Sequence, residues 1–129
     1  MKKLTLIFTL LFSTVMFSSP SFAEWTKVTE DVNGNTFYVD FERIRKHGGY
    51  VYFWDLSNYL KPQKFGVLST KWYKQGDCKL IRFKSLSYVF HKQPMGRDSG
   101  DSISPKNPEW KYPSPNSMNE TILKSVCSR

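Results

Sequence analysis

The chain has 129 residues, 19 lysines and arginines against 11 aspartates and glutamates, a formal net charge of +8, and two cysteines. That length excludes a multidomain protein, and two cysteines exclude more than one disulfide connectivity. No repeat, low-complexity tract or interdomain linker breaks the chain, and its basic balance favours acidic partners, with a merely soluble, solvated surface as the plain alternative.

The first residues carry the pattern of an export signal. Lys2 and Lys3 form a basic start, and residues 4–17 form an apolar run interrupted only by Thr5, Thr9, Ser13 and Thr14. Ser21-Phe22-Ala23 then places small residues at the positions a signal peptidase reads, so cleavage is predicted between Ala23 and Glu24. A spanning helix needs about 20 apolar residues, and Ser18-Ser19-Pro20-Ser21 ends the run earlier; no integral membrane segment is expected after cleavage. The remaining domain, residues 24–129, keeps 17 basic and 11 acidic residues, or +6. It is expected to be periplasmic or secreted. No cysteine follows the cleavage site, so a lipoprotein anchor is not expected.

Alternation over Trp25 to Glu30 predicts a first strand, and Asn33-Gly34 predicts a hairpin into a second strand, Thr36-Phe37-Tyr38-Val39. Asp40 is placed to cap a short helix through Ile44, ended by Gly48-Gly49. A third strand runs from Tyr50 to Tyr59, with Tyr50, Tyr52, Trp54 and Leu56 on one face and Val51, Phe53, Asp55 and Ser57 on the other. Apolar residues on both faces mark it as central. Two more strands, Val67 to Tyr73 and Leu80 to His91, are predicted around a Gln75-Gly76-Asp77 turn. The apolar residues of the second keep one face only if a bulge falls near Ser85.

Pro94 to Pro115 reads as a long irregular segment with one extended piece near Ser102-Ile103-Ser104. Ser117-Met118-Asn119-Glu120 has capping-box spacing, so a helix is predicted from Met118 with Met118, Ile122, Leu123 and Val126 as its apolar stripe. Cys127 continues that stripe and can reach Cys78, which predicts a disulfide joining helix to sheet; two free thiols or a catalytic dithiol lack a Cys-x-x-Cys. The fold class is α+β: an antiparallel sheet of about five to six strands with a packed C-terminal helix and one disulfide.

Catalytic constellations do not emerge. His47 and His91 lack metal-ligand spacing and are expected at the surface, and Asp98 and Asp101 are expected to solvate a loop, since no closing glutamate completes a calcium site. No metal, no cofactor and no catalytic residue is predicted. Lys71-Trp72-Tyr73-Lys74 with Arg82 and Lys84 interleaves cations and aromatics, the composition of a binding surface. Export argues against nucleic acid as its ligand, leaving a protein, an anionic glycan or lipopolysaccharide.

Several quoted stretches, in their order, resemble the surface-adhesin protein E family. They are Thr36-Phe37-Tyr38-Val39-Asp40 with Ile44, Trp54 to Tyr59 with Pro62, Cys78, Pro94-Met95-Gly96, Glu109-Trp110, and Ser117 through Cys127. The resemblance covers most of residues 24–129. It implies about six antiparallel strands packed by a terminal helix, a Cys78 to Cys127 disulfide, homodimer formation, and a non-enzymatic role in binding host or envelope macromolecules. A periplasmic structural or assembly protein acting through self-association, or a small secreted hydrolase using residues 94–115 as a lid, are the alternatives.

Overall fold

The computed structural model describes residues 23–129; the basic start, the apolar run and most of the predicted signal lie outside them. Seven strands form one antiparallel sheet: β1 (Thr26–Glu30), β2 (Thr36–Val39), β3 (Arg45–His47), β4 (Tyr50–Asn58), β5 (Ser69–Asp77), β6 (Arg82–His91) and β7 (Asp101–Ile103). Their order is β1-β2-β4-β5-β6-β7. β3 lies against the start of β4, beside Tyr50 to Tyr52, and β2 against its end, beside Asp55 to Asn58. The one α-helix among the described residues, α1 (Met118–Cys127), packs on one face.

The expected central strand is β4, and its predicted alternation holds: Val51, Phe53, Asp55 and Ser57 are all buried on the helix side, while Tyr50, Tyr52 and Trp54 stay half-buried on the other. Phe37, Val39, Val51 and Phe53 meet Ile122, Leu123 and Val126 of α1 in the core. Each such side chain contributes about 1.5–3 kcal/mol on burial. Helix and sheet approach so closely over β5 that a methyl group on Gly76 would lie 2.8 Å from Leu123 and 2.9 Å from Val51. A glycine is needed there for space, since its backbone is ordinary.

The start of α1 follows the predicted cap: the Ser117 hydroxyl accepts the Glu120 N–H at 3.2 Å. Glu120 reaches back to the N–H of Asn116 at 2.9 Å instead of to Ser117. Cys127 and Cys78 are bonded, tying the last turn of α1 to the β5–β6 hairpin.

Four expectations need correction. There are seven strands, because β3 was hidden: residues 45–47 are basic and wholly exposed and carry no apolar alternation. Gly48 and Gly49 turn β3 into β4 and do not end a helix; residues 41–43 make only a 3-10 turn, and Asp40 makes no capping hydrogen bond. β5 runs on through Gln75, Gly76 and Asp77, and the chain reverses at residues 78–81, where Asp77 accepts the N–H groups of Lys79 and Leu80. The extended piece expected near Ser102-Ile103 is β7, but the rest of the segment 94–115 is less irregular than expected, since Lys111 forms a two-way backbone bridge with Phe83. The bulge near Ser85 is present: Tyr73 pairs with Ser87 while Lys74 pairs with Ser85, leaving Leu86 extra.

Candidate binding faces of the sheet

Strand register decides where the predicted surface residues go. Alternation sends Lys71 and Tyr73 to the outer face and Trp72 and Lys74 to the helix side, so the run Lys71-Trp72-Tyr73-Lys74 is not one surface. Lys74 is buried: its ammonium lies 2.7 Å from Asp55 and donates to the Asn119 side chain at 3.1 Å. Burial pushes the Asp55 carboxyl above the usual carboxylate range, and the nearby Lys74 charge opposes it. This pair belongs to the core.

Outer-face Lys71 lies under a loop, residues 93–100, that folds over the end of β5 and β6. A methyl group on Gly96 would collide with Lys71 and come within 3.5 Å of His91 Nε2. Burial lowers the Lys71 ammonium pKa, with Arg43 adding to the effect and Asp98 opposing it.

His91, expected at the surface, is fully buried there, and Asp98, expected to solvate the loop, holds His91 Nδ1 at 2.7 Å. The Asp98 carboxyl lies below its ordinary value: partial burial pushes it up, but the hydrogen bonds from His91 and from the Lys92 N–H prevail. Met95 N–H donates to Asn58 and Gly96 N–H to the Ser69 hydroxyl, both at 2.8 Å.

Ser69 is the cross-strand neighbour of His91, so a histidine, a carboxylate and a hydroxyl do gather. A nucleophile would have to hydrogen-bond the free ring nitrogen and meet solvent. Instead the Ser69 hydroxyl donates to the Gln93 carbonyl at 2.6 Å, and His91 Nε2 has no hydrogen-bond partner among the described residues. Both residues are fully buried. Their arrangement clamps the loop and lacks the geometry of a hydrolase.

The remaining outer face is open. Tyr73 lies against Tyr52 and Trp54, with ring centroids 6.4 and 4.9 Å apart. Trp110, carried by the segment bridged to Phe83, packs on Tyr50 at 5.4 Å, and the Arg82 and Lys84 cations stand 4.2 and 4.6 Å from its ring. Two adjoining depressions share Arg45 and Tyr73; Glu42 stands on the rim of one and His47 on the rim of the other. Arg82 is paired with Asp77 at 2.9 Å, whereas Arg45 and Lys84 meet no carboxylate among the described residues. Tyr73, Arg82 and Lys84 are thus the predicted residues that share this face.

Sequence reasoning missed Arg45, Tyr52 and Trp110 as members. Tyr52 was on the right face of its strand, and only the pairings of β3 with β4 and of Lys111 with Phe83 bring the other two to it. Among the described residues no group of three His, Cys, Asp or Glu is placed to hold a metal ion.

A one-layer antiparallel sheet packed by a helix that a disulfide staples to it defines a small α+β module. The chain belongs to the surface-adhesin protein E family, whose model matches residues 25–128. The fold is shared with solved structures of Haemophilus influenzae protein E. One crystal form is 18% identical, with a TM-score of 0.60, covering 84% of this chain and 91% of that one. The protein from a non-typeable strain is 17% identical, with a TM-score of 0.55 and coverage of 85% and 79%. No curated protein sequence matches the chain. Surface-adhesin membership goes with export or surface display, and no helix among the described residues is long and apolar enough to cross a membrane.

Proposed function

We propose that the chain is an exported, non-enzymatic binding module that docks acidic macromolecules on the outer face of its sheet. The observation that carries this reading is the uncovered ring cluster of Tyr52, Trp54, Tyr73 and Trp110 with Arg45, Arg82 and Lys84 around it. Aromatic and arginine side chains supply much of the energy of protein contacts, and unpaired cations steer an acidic partner into place. Cleavage between Ala23 and Glu24 would deliver this face outside the cytoplasm, where acidic proteins, sulfated glycans and lipopolysaccharide are available and nucleic acid is not.

The test is a binding screen of the protein, expressed from the full chain, against matrix proteins, sulfated glycans and lipopolysaccharide at low and high salt. Saturable binding that weakens as salt screens the charges is expected. No saturable binding at low salt would overturn the reading.

A second reading, a periplasmic assembly component acting through self-association, is favoured by the absence of a cysteine after the predicted cleavage site. Cell fractionation separates the two. Retention in the periplasm of intact cells, with crosslinking to copies of itself, supports the second; exposure at the surface supports the first.

A further inference from the structure

The helix side of the sheet has a vacancy set by length. Ten residues of α1 rise about 15 Å, whereas the nine of β5 span about 30 Å. Only the half of the face around Val51, Phe53 and Gly76 is therefore under the helix. Over the other half lie two cavities, of about 320 and 430 Å³, that share Trp72, Ser85 and Lys111 and so form one trough. Each falls at the small end of the roughly 300–1,000 Å³ typical of ligand sites.

The floor of the trough is a row of rings: Trp72 and Tyr88 have centroids 5.1 Å apart, and Tyr88 and Phe90 5.4 Å. Its walls are mixed, with Phe83, Met118, Pro105 and Pro108 beside a few polar groups. Ser57, Ser85 and Asn119 stand around the inner cavity, and Asn107 and Glu109 line the outer one. Ser57, Ser85 and Lys111 side chains make no hydrogen bond to other described residues, so their donors and acceptors are available to a ligand.

Charge in the trough is nearly balanced. Lys74 is neutralised by Asp55, while the Asp31 carboxylate, held ionised by the N–H groups of Asn33 and Asn35 and by the Asn35 side chain, leaves one negative charge beside the inner cavity. Lys111 faces Glu109 across the outer cavity's lining. Such a site does not select an anion, in contrast to the outer face.

A row of mutually tilted aromatic rings, 42° between Trp72 and Tyr88 and 68° between Tyr88 and Phe90, bordered by hydroxyl, amide and ammonium groups and without surplus positive charge, matches one chemistry well. A pyranose ring whose hydroxyls are all equatorial has C–H faces that lie on aromatic rings and an edge of hydroxyls that hydrogen-bonds outward. We propose that this trough is a binding site for an uncharged, β-linked oligosaccharide, with one sugar stacked on Trp72 and its neighbour running toward Tyr88 and Phe90. This site is separate from the outer face and does not depend on the reading above.

The probes are cellotetraose and chitotetraose, titrated into the protein expressed from the full chain, with the indole N–H resonances followed by NMR. At least one sugar is expected to shift the Trp72 resonance saturably by about 10 mM, a range that captures millimolar affinity, while Trp54 and Trp110 stay unmoved. Trp72→Ala is expected to weaken binding at least about tenfold. Ser85→Phe, which fills the trough and removes one wall hydroxyl while leaving the ring floor in place, should do the same with the melting temperature retained, guarding against a Trp72 variant that fails to fold.

Absence of any saturable Trp72 shift with either sugar overturns the proposal, as does binding that survives Ser85→Phe. Binding of an acidic peptide or heparin fragment that moves Trp72 more than the neutral sugars would also overturn it. Arg45→Glu serves as the contrast: it should spare sugar binding and weaken acidic partners, so failure of one site is distinguishable from failure of the other.

Discussion

On the helix side of the sheet Lys74 is buried with Asp55 and the apolar side chains of α1, while on the outer side Arg82 and Lys84 lie over Trp110 and Arg45 makes no ion pair among the described residues. The same residue types occupy both faces. What differs is cover: under the helix Lys74 has its own counter-charge, whereas on the part of the outer face that the loop 93–100 leaves open Arg45 and Lys84 have no ion-pair partner among the described residues. Most of the apolar core therefore lies on one face, and the proposed recognition of acidic ligands falls on the open part of the other.

The sharpest way to break that contrast is to unpair the buried charge. Asp55→Ala leaves the Lys74 ammonium without its carboxylate and is expected to cost about 3–5 kcal/mol, read by denaturant unfolding. Replacing both partners, Asp55→Leu with Lys74→Met, should be close to neutral or stabilising, because desolvation of the pair offsets much of its attraction. A double variant as damaged as the single one would contradict a merely structural pair.

Next in size is the staple. Removing it with Cys78→Ala and Cys127→Ala is expected to cost about 2–5 kcal/mol. Hydrogen exchange should then rise first in α1, the element it ties down. Gly76→Ala is expected to cost about 1–3 kcal/mol by overpacking against Leu123 and Val51, without changing ligand binding on the outer face.

Acidification tests the clamp that covers one end of the outer face. The Asp98 carboxyl is lowered in the folded protein, so its contribution is present above the unfolded value of about 3.9 and is lost as pH falls through the lower folded value. Exchange of the Lys92 and Gly96 N–H groups should stay slow down to that range and rise below it. Loosening well above that range would contradict a clamp held by the Asp98 carboxylate.

Much of this frame was legible because periodicity and capping are local signals. The two faces of β4, the bulge near Ser85 and the start of α1 at Met118 follow from alternation, a one-residue slip and a Ser117 cap. β3 was illegible because Arg45-Lys46-His47 has no apolar phase and is held only by pairing with β4. His91 misled for the same reason: nothing near it in sequence shows that Asp98 folds back to meet it or that residues 93–100 cover it.

The candidate site was only half legible. Lys71, Trp72, Tyr73 and Lys74 are neighbours in sequence, yet alternate strand residues face opposite ways, and register alone brings Tyr73 to Arg45, Arg82 and Lys84 to Trp110. Long-range pairing made the surface, and a one-dimensional pattern cannot contain it.

The smallest expected effect on stability accompanies the most informative loss of binding. Arg45→Glu combined with Lys84→Glu should change unfolding by no more than about 0.5 kcal/mol at exposed Arg45 and by about 0.5–1 kcal/mol at half-buried Lys84, which loses its contact with Trp110. The direct measurement is the affinity of that double variant for a heparin fragment at low salt, beside the unaltered protein. A drop of at least about tenfold with the fold retained is the predicted result; undiminished affinity would contradict the assignment of acidic-ligand binding to the outer face.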